Sequence, residues 1–154
     1  MKQVIGEILR EFYENGVPKD VKGRHLDFAE KRRTATVIMG MRRTGKTYVT
    51  YRRIQELLNE GIELERIVQI NFDDERLRGL KTDDLHLIGE VHAEMFPDAS
   101  SKQCWYFLTN YRISKDGRCM HGDCWKVREC SFVLQVHRQS YFLKKLLQRC
   151  EGAH

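Results

Sequence analysis

With 154 residues, 41% of them hydrophobic and 32% charged, the chain has room for one domain with an adequate core. It shows no apolar run of membrane-spanning length, and its N-terminus, with Glu7, Glu11 and Glu14, lacks a signal-peptide pattern. A formal net charge of +5 would ordinarily raise nucleic acid as a partner, but residues 108–154 carry 9 Lys+Arg against 4 Asp+Glu and hold the whole excess. Cysteine divides the same way: Cys104 stands alone, whereas Cys119, Cys124, Cys130 and Cys150 share the basic tail. These free thiols and the lack of a leader pattern predict a cytoplasmic protein with reduced cysteines.

Val4, Ile5, Ile8, Leu9 and Phe12 recur at helical spacing, and Asn15-Gly16 with Pro18 marks the end of a packing or docking helix. Residues 17–33 read as a charged connector with an apolar patch at Leu26-Asp27-Phe28-Ala29. Lys31-Arg32-Arg33 is most simply a solvated lead into a strand. Thr34 to Met39 is that strand, a β-branched run entering a glycine-bounded loop.

The loop, Gly40-Met41-Arg42-Arg43-Thr44-Gly45-Lys46-Thr47, fits the P-loop pattern G-x-x-x-x-G-K-[ST]. Gly40 and Gly45 allow backbone angles closed to other residues, so that successive amides turn inward around a phosphate. Lys46 is placed to reach the β- and γ-phosphates and Thr47 to ligate Mg²⁺. The helix beginning near Gly45 points its positive end at the same anion. The expected cofactors are therefore ATP and Mg²⁺.

Thr47 to Glu60 reads as that helix, with Val49, Ile54, Leu57 and Leu58 inward and Gly61 as its stop. Ile67 to Phe72 reads as a second strand, and strand, helix, strand in this order implies a right-handed crossover and a parallel sheet. Asp73-Asp74-Glu75 follows. Such a cluster either approaches bound Mg²⁺ or, more simply, caps a helix and faces water. A further helix is expected from Thr82-Asp83-Asp84 through Leu85, Ile88, Val91, His92 and Met95 to Pro97. His86 and His92 read as ordinary helix residues, Asp98 to Lys102 as a loop, and Cys104 to Leu108 as a third strand. In a P-loop hydrolase that strand should end in an acid that holds Mg²⁺. Here it ends Leu108-Thr109-Asn110, so no catalytic residue is assigned.

Residues from about 20 to 107 resemble the prokaryotic AAA-superfamily ATPases of the AAA-fourteen type, which join an N-terminal P-loop domain to a C-terminal domain of poorly defined role. The matching stretches are Val37 to Thr47, Tyr51-Arg52-Arg53-Ile54 with Leu57-Leu58, and Ile70 to Leu77. The resemblance implies Mg²⁺·ATP at Gly40, Gly45, Lys46 and Thr47. Beyond Phe107 the family would continue D-E-[IL]-Q and then further motifs, and the chain as written has none of them. Reading each offset codon from the last base of one residue and the first two of the next, Leu108-Thr109 permits D and Thr109-Asn110 permits E. Further matches recur in order to Ala153, so the resemblance implies that the tail is an out-of-frame translation.

The predicted fold is a partial α/β P-loop NTPase: residues 1–33 an N-terminal helix and connector, 34–107 an incomplete ATPase core, 108–154 a poorly defined basic tail. The alternative function is a metal- or nucleic-acid-binding module. In it Cys119, His121, Cys124 and Cys130 would form a zinc site, or Val133, Val136, Phe142, Leu143, Leu146 and Leu147 would form the face of a partner helix.

Overall fold

The computed structural model describes residues 1–18, 21, 35–39, 45–113 and 128–137. The apolar patch 26–29, the triplet 31–33, most of the loop 40–47 and the tail outside 108–113 and 128–137 lie beyond the described residues.

Helix α1 (Lys2–Asn15) buries Ile5, Ile8, Leu9 and Phe12, the stripe that its spacing predicts. Gly16, at φ 67°, ends it by donating its N–H to the Phe12 carbonyl. Strand β1 (Ala35–Met39) follows the connector, and α2 (Lys46–Asn59) follows the loop. α2 stops as Gly61 predicts: at φ 86°, Gly61 donates to Leu58 and Ile62 donates to Leu57. That pair of bonds satisfies carbonyls that the helix end leaves without partners. Strand β2 (Ile67–Asn71) comes next, then α3 (His86–Met95), α4 (Pro97–Ser101), β3 (Gln103–Ile113) and β4 (Arg128–His137).

The strands form one sheet in the order β1-β4-β3-β2. β2 pairs parallel with β3, Ile67 opposite Trp105 and Asn71 opposite Thr109. β4 lies antiparallel to both β1 and β3, so β1, β2 and β3 run in one direction and their carboxyl ends share one edge. The expected crossover β1-α2-β2 therefore spans the whole sheet. The sheet is mixed rather than parallel throughout because a tail strand fills the place between β1 and β3. A pairing partner from this far along the chain is a long-range choice that local periodicity does not encode.

Each face of β3 has its own core. Trp105 and Phe107 pack with Ile54 and Leu57 of α2 and with Ile67 of β2. Cys104, Tyr106 and Leu108 face the other way, against Ile5, Ile8 and Leu9 of α1 and Ile88 and Val91 of α3. Fully burying aliphatic and aromatic side chains is worth roughly 1.5–3 kcal/mol each, so this layering is what holds the helices in place. Tyr13 at the end of α1 joins both clusters, and its hydroxyl donates to the Ile67 carbonyl at 3.0 Å.

Two local expectations are corrected. Asp98 to Lys102 was expected as a loop, but Pro97 starts the short helix α4, its fixed φ suiting the first helical position. Ser100 and Ser101 hydroxyls both donate to the Pro97 carbonyl, at 2.8 and 3.2 Å. The third strand was expected to end at Leu108 and instead continues to Ile113, because β4 gives it a second partner.

His92 is an α3 core residue with no exposed surface. Its Nε2 lies 2.7 Å from the Glu65 carbonyl, which only accepts, so Nε2 carries the proton. Its Nδ1 is buried with no hydrogen-bond partner among the described residues, and the ring packs near those of Phe96 and Tyr106. Burial lowers the imidazole below its ordinary value near 6.5, outweighing the Glu65 carbonyl, which raises it. A folded pKa below the unfolded one contributes stability above the unfolded value and loses it as pH falls toward the folded value. The urea midpoint is therefore expected to drop as pH falls below about 6.5, and His92→Gln, which still donates to Glu65 but does not titrate, to drop less. Parallel pH profiles for the two proteins would contradict this.

Candidate functional site

The carboxyl edge of the sheet gathers the groups that matter, since ligands of open α/β sheets bind outside the carboxyl ends of strands. β1 ends at Met39 and α2 opens at Lys46. Of the predicted cradle, Gly45, Lys46 and Thr47 are described, while Gly40, Met41, Arg42, Arg43 and Thr44 lie outside the described residues.

Gly45 is the N-cap of α2, in the left-handed conformation at φ 83° and ψ 16°. Its carbonyl accepts the first helical bond from Val49 N–H at 3.2 Å. The amides of the opening turn precede the helical ladder and have no acceptor within it. Lys46 is buried, only 7% exposed, and already makes a polar contact. Thr47 is half-buried, and the Thr50 hydroxyl donates to its carbonyl at 2.7 Å, bracing the turn. Val49 and Thr50 are buried beneath this turn, which fixes how α2 meets the sheet.

Along the edge, β2 ends in Asn71 and continues into Asp73-Asp74-Glu75. Asp74 caps the 3-10 turn Glu75–Leu77, accepting from the Arg76 N–H at 3.0 Å. Its carboxylate also takes the Arg76 guanidinium at 2.8 Å, and that guanidinium forks onto Glu11 of α1 at 2.6 and 2.8 Å. The hydrogen bonds from Arg76 hold Asp74 and Glu11 below the usual carboxylate range. The capping reading of this cluster thus describes Asp74. Glu75 pairs with Arg78 at 2.9 Å, and Asp73 is exposed.

Where a strand-terminal acid would stand on β3, the chain has Thr109 and Asn110. Thr109 is fully buried, its hydroxyl 3.4 Å from the Ile70 carbonyl. Asn110 has φ 57°, the one positive-φ residue other than glycine among the described residues. Its side-chain Nδ2 donates to Asn71 Oδ1 at 2.9 Å, and the Asp73 N–H donates to the same oxygen at 3.1 Å. This amide pair was not singled out from the sequence. The usable signal was that Asn tolerates the left-handed region better than other residues carrying a Cβ.

Cys119, His121 and Cys124 of the zinc reading lie outside the described residues, and Cys130 sits on β4 opposite Met39. Among the described residues no group of three or more His, Cys, Asp or Glu could hold a metal ion. Nor is any helix there long and apolar enough to cross a membrane.

A glycine-capped helix entered from an edge strand, with parallel strands beyond it, defines an α/β P-loop NTPase domain in partial form. The chain belongs to the AAA domain family, which it matches over residues 32–108. Comparison with curated proteins and with solved structures gives no match. The described part of the loop fits the Mg²⁺-nucleotide that this family implies. It offers a left-handed turn that favours glycine, a helix N-terminus, an ammonium and a hydroxyl in sequence.

Among the described residues a Cβ at Gly45 would meet no atom within 4 Å, so Gly45→Ala tests the backbone conformation. The left-handed strain is expected to cost roughly 1–2 kcal/mol in chemical denaturation. An unchanged midpoint would mean that the turn does not hold this conformation.

Proposed function

We propose that the chain binds Mg²⁺·ATP at the loop between β1 and α2 and turns it over poorly. The observation that carries this reading is the left-handed Gly45 opening α2, with Lys46 and Thr47 in its first turn. In this reading the amides of Gly40, Met41, Arg42, Arg43, Thr44, Gly45, Lys46 and Thr47 cradle phosphate oxygens. Lys46 neutralises β/γ-phosphate charge, and the Thr47 hydroxyl ligates Mg²⁺.

Poor turnover follows from the edge chemistry. Positions 108–110 carry Leu, Thr and Asn, and none of these takes a proton from an attacking water. Asp74 is committed to Arg76. The family match stops at Leu108, where the charge and cysteine content change. That coincidence supports reading the tail as out of frame; an offset frame with early stops in the gene would defeat that part.

The test is equilibrium binding of a fluorescent ATP analogue with Mg²⁺, with phosphate release followed in the same samples. Binding is expected in the native chain, at least tenfold weaker in Lys46→Ala as the charge-assisted contacts are lost, with release near background. Binding unchanged in Lys46→Ala would overturn the loop assignment and move attention to the basic tail.

A further inference from the structure

α3 and α4 meet at Phe96, whose N–H donates to the His92 carbonyl and whose carbonyl accepts from the Ser100 N–H, so the two helices form one unit. Two side-chain contacts fasten that unit to the segment leading into β2. On the surface, Lys102, which follows α4, reaches Glu63 at 3.1 Å, and both side chains are more than half exposed. In the interior, His92 donates from Nε2 to the carbonyl of Glu65, in the 3-10 turn Leu64–Arg66, at 2.7 Å. An exposed pair of this kind contributes little. The buried bond is therefore the fastener that matters.

That bond sits beside an atom that tolerates only one charge state. Nδ1 of His92 is buried with no hydrogen-bond partner among the described residues, and the imidazole has no exposed surface. Protonation would make Nδ1 a charged donor with nothing to accept from it, which is costly in an apolar interior. The neighbouring elements offer no relief. Tyr13 of α1 donates to the Ile67 carbonyl, Cys104 of β3 to the Ala99 carbonyl, and Arg66 to the Gln103 carbonyl. Burial keeps Tyr13, Cys104 and Tyr106 protonated, so none of them is an anion. Glu65 meets the ring with its backbone and has an exposed side chain, and Asp98 of α4 is exposed as well. On α3 itself, Glu90 and Glu94 pair with Lys2, and His86 lies beside Glu90.

We propose that α3 and α4 form an acid-released latch: protonation of His92 detaches them from the Leu64–Arg66 turn and from β3 while α2 and its side of the sheet stay folded. The layering makes this opening local. Ile88 and Val91 of α3 pack with Tyr106 and Leu108, whereas Ile54 and Leu57 of α2 belong to the separate cluster on the opposite face of β3. Parts of a protein that rest on separate contacts open with separate free energies. Because burial holds the imidazole below its ordinary value, the closed form is favoured above about pH 6.5 and weakens as pH falls from there toward the folded value. Opening uncovers the face of β3 that carries Cys104 and Tyr106.

The experiment is hydrogen–deuterium exchange of the full chain at about pH 5 and about pH 7.5, expressed as protection factors so that the intrinsic pH dependence of exchange is removed. Protection of α3 and α4 amides is expected to fall about tenfold at the lower pH, with α2 amides changing less than about twofold. In His92→Gln the fall in α3 and α4 should disappear. Equal loss in α2 and α3, or an undiminished fall in folded His92→Gln, overturns the proposal. A second reading needs no variant: Cys104 of the native chain is labelled with a disulfide reagent that reacts in acid, and the labelled peptide is identified by mass. The proposal requires faster labelling at the lower pH, and a rate that is equal or slower there overturns it.

Discussion

β3 is buried on both faces, and the position of every functional group described above depends on that. Trp105 and Phe107 fix α2 over one face, while Tyr106 and Leu108 fix α1 and α3 over the other. Because the residues alternate, a shift of one place would exchange the two sets and unseat both layers. The parallel register with β2 then sets Asn71 opposite Thr109, and the antiparallel register with β4 sets Met39 level with Tyr111. The loop at Gly45 and the amides at Asn71 and Asn110 share one edge for this reason alone.

Ion pairs add orientation to that framework more than strength. Arg76 ties the segment after β2 to Glu11 of α1, and Lys2 bridges to Glu90 and Glu94 of α3. These groups are largely solvent-exposed, and such pairs contribute little individually. Their use is geometric: α1 is anchored at one end to α3 and at the other to the carboxyl edge. The buried polar groups matter more. His92 joins α3 to the turn before β2 through the Glu65 carbonyl, and Cys104, whose thiol burial pushes up to about 11, stays protonated and donates to the Ala99 carbonyl.

What the sequence made legible was local. The stripe of α1, the span of α2 and its Gly61 stop, strand β2, and the glycine entering α2 all follow from spacing and backbone preference, and the structure has them where the pattern places them. The Asp74 cap was legible as the simpler of two readings. The unreadable features involve partners distant in sequence. β3 runs on to Ile113 only because β4 pairs with it, and β4 lies in a tail whose Val133 and Val136 were read as the face of a partner helix: both are strand residues, paired with Phe107 and Cys104 of β3. Asn110 was read as a missing acid. Its left-handed backbone and its reach to Asn71 belong to a bulge that exists only in the assembled sheet.

Hydrogen–deuterium exchange of the full chain, with and without Mg²⁺·ATP, measures where the nucleotide sits without depending on any substitution. The account predicts slowed exchange at amides of residues 40–50 on addition of Mg²⁺·ATP. Slowed exchange confined to residues 114–154, or none at the loop under saturating nucleotide, would contradict it.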